Sequence, residues 1–186
     1  GTALYDRIET RLARIGASAL ETQINDEDGR VFLEHRGFVR TNVMRLQALD
    51  LARADLPEPG LSTLPLSAID IDSIRDLYKE GHADIPSASP RAPLTDEDFQ
   101  RKVVDAELVD RDLSSIAVED GRPIAFTIVI ANHDDGRASA QMTAVARDRR
   151  GRRLAYAVKV DSLRRCRAAG LQTMVTQNDL ENAPML

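Results

Sequence analysis

The chain is poor in the residues that staple, ligate or stack. It has one cysteine, Cys166, no tryptophan, three histidines and 4% aromatics in 186 residues. A lone cysteine forms no internal disulfide, and three histidines with one cysteine give no metal-ligand spacing, so no metal is expected. Cys166 reads as a small apolar helix residue. No apolar run approaches the roughly 20 residues of a membrane span, and Gly1 to Gly16 lacks the basic and apolar regions of a secretory signal. The expectation is a cytoplasmic protein with no membrane partner. Its core must come from Leu, Ile, Val and Ala, and 42% hydrophobic with 30% charged residues is a globular balance.

Charge is unevenly spread. The net charge is -5, yet Arg147 to Arg167 holds nine Lys/Arg against two Asp/Glu. This basic run suggests a local anionic partner rather than a nucleic-acid face covering the molecule. It also lacks interleaved aromatics for stacking bases, so no nucleic acid is expected.

Periodicity orders the elements. Leu4, Ile8, Leu12 and Ile15 mark a helix over 3–15, ended by Gly16. A short strand is expected at Ala19–Ile24, then a helix over Val31–Leu33 capped by Asn25 or Asp26. Val39–Leu51 predicts one or two strands, 56–60 a linker, and Leu61–Leu66 a strand. Asp70 or Asp72 opens a helix with Ile74, Leu77 and Tyr78; a Pro/Ser-rich loop covers 82–93. Thr95 and Asp98 form a capping box. Strands follow at 113–118, 124–131 and 138–146, with turns at Glu119-Asp120-Gly121 and His133 to Gly136. A helix over 153–169, stopped by Gly170, precedes a strand at 171–176 and a helix opening at Glu181. Residues 3–23 and 157–177 share one grammar: helix, glycine (Gly16, Gly170), strand, Thr-Gln (Thr22-Gln23, Thr176-Gln177).

The segment that carries chemistry is Gln141 to Ala155. A strand of small and β-branched residues runs into an Arg/Gly loop and then directly into a helix. The first N–H groups of a helix lack partners and its N-terminal dipole is positive, so a pyrophosphate fits there. Gly151 allows close backbone approach, and arginines add forked donors. The bland alternative is a solvated basic turn.

These residues resemble the GNAT N-acetyltransferase family. Thr143-Ala144-Val145 followed by Arg150-Gly151-Arg152-Arg153-Leu154-Ala155 resembles its motif A, written Gln/Arg-x-x-Gly-x-Gly/Ala. Glu119-Asp120-Gly121-Arg122-Pro123-Ile124-Ala125 is similar to its strand 2–strand 3 hairpin. Thr176-Gln177-Asn178 with Asn182-Ala183-Pro184-Met185-Leu186 resembles its strand 5–helix 4 junction. Gly1 to Tyr5 and Phe32-Leu33-Glu34-His35-Arg36-Gly37-Phe38 resemble the later part of another such domain. The likeness is strongest to actinobacterial-type proteins with two GNAT domains in tandem. Asp148, where Gln or Arg is usual, and Arg153, where Gly or Ala is usual, depart from the pattern.

The resemblance implies a mixed α/β (α+β) fold: a mostly antiparallel twisted sheet flanked by helices, with a splayed strand pair at the coenzyme A site. It divides the chain into the back half of a first repeat (1–55), the linker, and a second repeat lacking its last strands (61–186). It implies acetyl-CoA as co-substrate, held by Ala144, Val145, Arg150, Gly151, Arg152, Arg153, Leu154, Ala155, Asn178 and Asn182, and a small-molecule amine acceptor that attacks the thioester directly. The alternative is a non-catalytic coenzyme A-binding or structural domain. No general base or acid is nominated: Tyr5, Tyr78 and Tyr156 do not match the family's acid, His133, Asp134 and Asp135 read as a solvated turn, and His35 and His82 carry no assignable role. The sheet could be completed by rearrangement within the chain, by strand exchange or in a homodimer.

Overall fold

The computed structural model describes residues 2–85 and 92–180. The chain divides into two compact units, residues 1–41 and 42–186.

The first unit holds two helices, α1 (Thr2–Arg14) and α2 (Glu27–Glu34). Asp26 caps α2, its carboxylate accepting from the Gly29 N–H at 2.7 Å, and this satisfies one orphan donor of the first turn. The Tyr5 ring meets Phe32 and Phe38 edge-on, and the Arg36 guanidinium lies 3.6 Å over Phe32. The expected strand at Ala19–Ile24 is absent: these residues are exposed coil. Only Thr22 and Ile24 among them are β-branched, and a strand exists only where a ladder pairs it.

The second unit is built on one six-stranded sheet in the order β1-β6-β5-β4-β3-β2. The strands are β1 (Met44–Asp50), β2 (Leu64–Pro65), β3 (Val109–Glu119), β4 (Arg122–Asn132), β5 (Arg137–Val145) and β6 (Thr173–Asp179). All neighbours are antiparallel except β5 and β6, which the helix α5 (Leu154–Ala168) joins as a crossover. This is the mixed, mostly antiparallel sheet the sequence implied. Asp120 and Gly121, both at positive φ, turn β3 into β4, as a two-residue hairpin requires. The strand expected at 61–66 shrinks to Leu64–Pro65, where the proline has no N–H to extend a ladder.

Each face of the sheet has its own cover. Phe126, Ile128, Met142 and Ala144 pack with Ile74, Leu77, Tyr78, Phe99 and Val103, which come from α3 (Arg75–Ala83), the 3-10 turn before it, and α4 (Asp96–Phe99) with its wider continuation to Val104. Thr95 and Asp98 form the expected capping box at the start of α4. On the other face Ala117, Ala125, Val129, Ala131 and Ala138 meet Leu154, Val158 and Cys166 of α5. Burial pushes the Cys166 thiol up to about 12, so it is an inert packing residue. The β6 edge is covered by β1 of the same chain over Met44–Asp50.

Candidate functional site

Two strands part company in the middle of the sheet. β5 and β6 pair from Arg137/Thr173 to Ala140/Thr176, and beyond that pair each continues without the other. The cause lies in β5. Ile128 faces Met142 and Val129 faces Ala140, so Gln141 is an extra residue opposite nothing. Such a bulge bends the strand that carries it and sharpens its twist. It also resets the pleat: Ala138 faces α5, whereas Met142 and Ala144 face α3.

The backbone of β5 therefore presents donors to the opening. Ala146 gives its N–H to the Ile124 carbonyl at 2.9 Å, and antiparallel alternation then sends the Ala144 and Met142 amides to β4 as well. Thr143 and Val145 point their N–H groups the other way, into the groove. Ala144 instead packs its methyl beneath Gly81, where an added Cβ would come within 2.5 Å. Thr143, quoted with the motif, was not named among the residues expected to hold the cofactor; the bulge that sets its direction has no local signature in the sequence.

At the outer end of the groove the chain forms the expected loop. Gly151 has φ +79° and Arg153 φ +59°. Successive residues alternating through the left-handed region turn their N–H groups to one side and form an anion-binding nest. Arg153 is the N-cap of α5 and supplies no side-chain cap. Among the described residues none accepts a hydrogen bond from the amides of Gly151, Arg152, Arg153, Leu154, Ala155 or Tyr156. The Leu154 side chain is buried under the sheet, leaving its backbone to face outward.

Carboxylates engage most of the loop's arginines. Arg147 and Arg150 both grip Asp84 at the end of α3, Arg147 through Nη2 at 2.5 Å. These two, Arg147 foremost, hold the Asp84 carboxyl well below the usual carboxylate range. Arg149 and Arg152 bind Glu119 at 2.6 and 3.0 Å, and Arg122 binds Asp148 at 3.0 Å. Arg164 and Arg165 pair with Glu58 and Asp161. Asp84, Glu119 and Glu58, from outside the basic run, thus offset part of its charge, and Arg153 is left with no ion pair among the described residues. Arg150 Nε also donates to the Val145 carbonyl at 3.2 Å, so its side chain spans the mouth of the groove.

Asn178 on β6 is buried and shares the α5-facing side of that strand with Met174 and Thr176. Asn182, and the helix expected from Glu181, lie outside the described residues. A cavity of about 290 Å³ opens where β5 and β6 part, lined by Gln47, Thr127, Ala140, Lys159, Ser162 and Thr176 among others. Among the described residues there is no group of three or more His, Cys, Asp or Glu arranged to hold a metal, and no helix is long and apolar enough to cross a membrane. His133 pairs with Asp110 at 3.0 Å, on the turn after β4 and away from the groove.

No protein-family model matches the sequence, and no curated protein matches it. Solved structures do. A GCN5-related N-acetyltransferase from Sphaerobacter thermophilus superposes over 98% of the chain with a TM-score of 0.65 at 17% identity. A tandem GNAT protein from the clavulanic acid biosynthesis pathway covers 90% at a TM-score of 0.61 and 21% identity. A glucosamine N-acetyltransferase region of a fungal multi-domain β-N-acetylglucosaminidase covers 94% at 0.68 and 15%. The chain spans 61%, 55% and 24% of those proteins' lengths. It has the fold of the GNAT N-acetyltransferases.

Proposed function

We propose that the chain binds a coenzyme A thioester along the β5/β6 groove and transfers its acyl group to an amine. The observation that carries this reading is the run of amides from Gly151 to Tyr156 with no partner among the described residues, at the outer end of a groove where β5 continues beyond its last pair with β6. Amides fixed by the fold need no reorganisation to receive a diphosphate. Thr143 and Val145 would hydrogen-bond the extended arm of the coenzyme as a missing strand would. Arg150, Arg152, Arg153, Leu154 and Ala155 then frame the phosphates. Asn178, with its carboxamide on the α5 side of β6, and Asn182 would flank the arm.

The thioester supplies an activated acyl carbon. The protein's part is to orient it and to polarise its carbonyl oxygen with a β5 amide near Val145, which stabilises charge developing on that oxygen. The amine's lone pair forms the C–N bond as the C–S bond breaks; the nitrogen sheds a proton and the thiolate accepts one. We further propose a small-molecule amine as acceptor, a tandem arrangement in which 1–55 and 61–186 derive from two repeats, and, given the lone cysteine, a cytoplasmic setting.

Calorimetric titration with acetyl-CoA tests the reading. The parent should release binding heat, and Gly151→Tyr should weaken affinity by about tenfold or more by filling the nest and straining φ +79°. Equal heats from the two proteins would remove this loop from the site.

A further inference from the structure

The cavity at the inner end of the groove has a chemical character of its own. Its walls come from β1, β4, β5, β6 and α5, all within the second unit. Most of the lining is aliphatic: Ala48, Leu49, Val129, Ala140, Leu163 and Met174. Into this surface projects one cation, Lys159 of α5. Among the described residues Lys159 has no ion pair and no hydrogen bond, while the arginines nearby on α5, Arg164 and Arg165, are each matched to a carboxylate. An ammonium group set among apolar walls loses hydration and regains nothing, so such a position is costly unless an anion shares it. Desolvation alone draws the Lys159 pKa below its ordinary value.

The remaining polar groups of the cavity are neutral. Thr127 shares a hydroxyl hydrogen bond with Thr143 at 2.9 Å, and the Ser162 hydroxyl is spent on the Leu113 carbonyl at 2.5 Å. Gln47 and Thr176 have no side-chain partner among the described residues. No carboxylate lines the cavity. The site therefore offers one ammonium and a hydroxyl beside a mostly apolar lining, with the Gln47 amide at its exposed β1 rim, which is a receptor for a small anion bearing a short hydrocarbon chain. Its volume of about 290 Å³ admits a ligand of roughly ten heavy atoms.

Position links this cavity to the groove. Ala140 and Thr176 are both cavity walls and the last rung of the β5/β6 ladder. From Val145 to Ala140 the open edge of β5 runs about 15 Å, so a chain entering past Gly151 ends at the cavity.

We propose that this cavity binds a carboxylate group, with Lys159 as its counter-ion and Gln47 and Thr176 as neutral donors. Two sources share that chemistry: the far end of a dicarboxylic acyl group on the thioester, or the carboxylate of an amino-acid-like acceptor. The link to the thioester rests on the function proposed above; the carboxylate site itself does not.

The experiment is calorimetry on the full chain in two arms. One arm compares succinyl-CoA with acetyl-CoA; the other compares 4-aminobutyrate with 1-butylamine. Each ligand is titrated into the parent, Lys159→Met and Lys159→Arg. In one arm the carboxylate-bearing ligand should bind the parent about ten- to hundredfold more tightly than its counterpart. Lys159→Met should abolish that preference and Lys159→Arg should keep part of it. The arm that responds identifies the source. Thermal unfolding of Lys159→Met confirms that the variant folds. Loss of acetyl-CoA binding in the parent would sink the groove reading, while the 4-aminobutyrate arm would still decide the cavity. Absence of any carboxylate preference that depends on Lys159 in both arms overturns the proposal.

Discussion

At the residue scale the account turns on which polar groups are satisfied and which are not. Around the loop Asp84, Glu119 and Asp148 have each found an arginine, and exposed pairs of this kind add little to stability. They fix the loop against α3 and the β3–β4 hairpin more than they stabilise the fold. Lys159 is the opposite case. Its folded-state pKa lies below its ordinary value because burial disfavours the charged form. The unfolded chain therefore holds the proton more tightly, and stability should rise as pH climbs from the folded pKa toward the ordinary lysine value of about 10.4. Below that window the folded protein bears the full cost. Lys159→Met should remove this rise, and urea titrations at pH 7 and pH 10 on parent and variant would show it. An equal rise in both proteins would mean that other groups cause it. The charge count in the sequence identified the basic segment but not the carboxylates that engage it, because Asp84 and Glu119 are 63 or more and 30 or more positions away along the chain.

At the element scale the site is made by a bulge and a crossover. Sequence reading placed the strands of the central sheet and the helix between β5 and β6 with bounds up to about five residues off, since apolar and β-branched runs mark those segments and the turn at Gly121 and the stop at Gly170 separate them. It did not locate the bulge at Gln141, because one extra residue in a run of small side chains leaves no pattern. It overread Ala19–Ile24, where alternation exists without a partner strand. The seat of β5 depends on α3 lying close against it. A Cβ on Gly81 would stand 2.5 Å from the Ala144 Cβ and 2.9 Å from the Met142 Cε. Gly81→Ala should therefore push α3 away from the strand and destabilise the protein by about 1–3 kcal/mol, measured as a lower urea midpoint at unchanged slope. No change in midpoint would show that α3 yields freely.

At the scale of the whole molecule, every residue assigned to the groove lies in the unit spanning 42–186. A chain reduced to Asn42–Leu186 should keep its affinity for acetyl-CoA within about threefold of the parent, read by the same calorimetry; complete loss would give the first unit a part in binding. The resemblance carried by Gly1–Tyr5 and Phe32–Phe38 reads that first unit as the remnant of a second domain, whereas β1, from within the same expected repeat, is built into the sheet of residues 42–186. Pairing between positions more than a hundred residues apart is set by the ladder and not by local sequence, so the sequence offered completion within the chain as one alternative beside strand exchange and a homodimer and could not choose among them.

The most direct measurement is a backbone amide NMR titration of the full chain with coenzyme A. The signals of Gly151 to Tyr156, together with Thr143 and Val145, should move as the diphosphate and the extended arm take up their hydrogen bonds, and His133 at the far turn should stay still. Coenzyme A that leaves the 151–156 amides where they are, or shifts only signals away from the β5/β6 opening, would contradict the assignment of this groove.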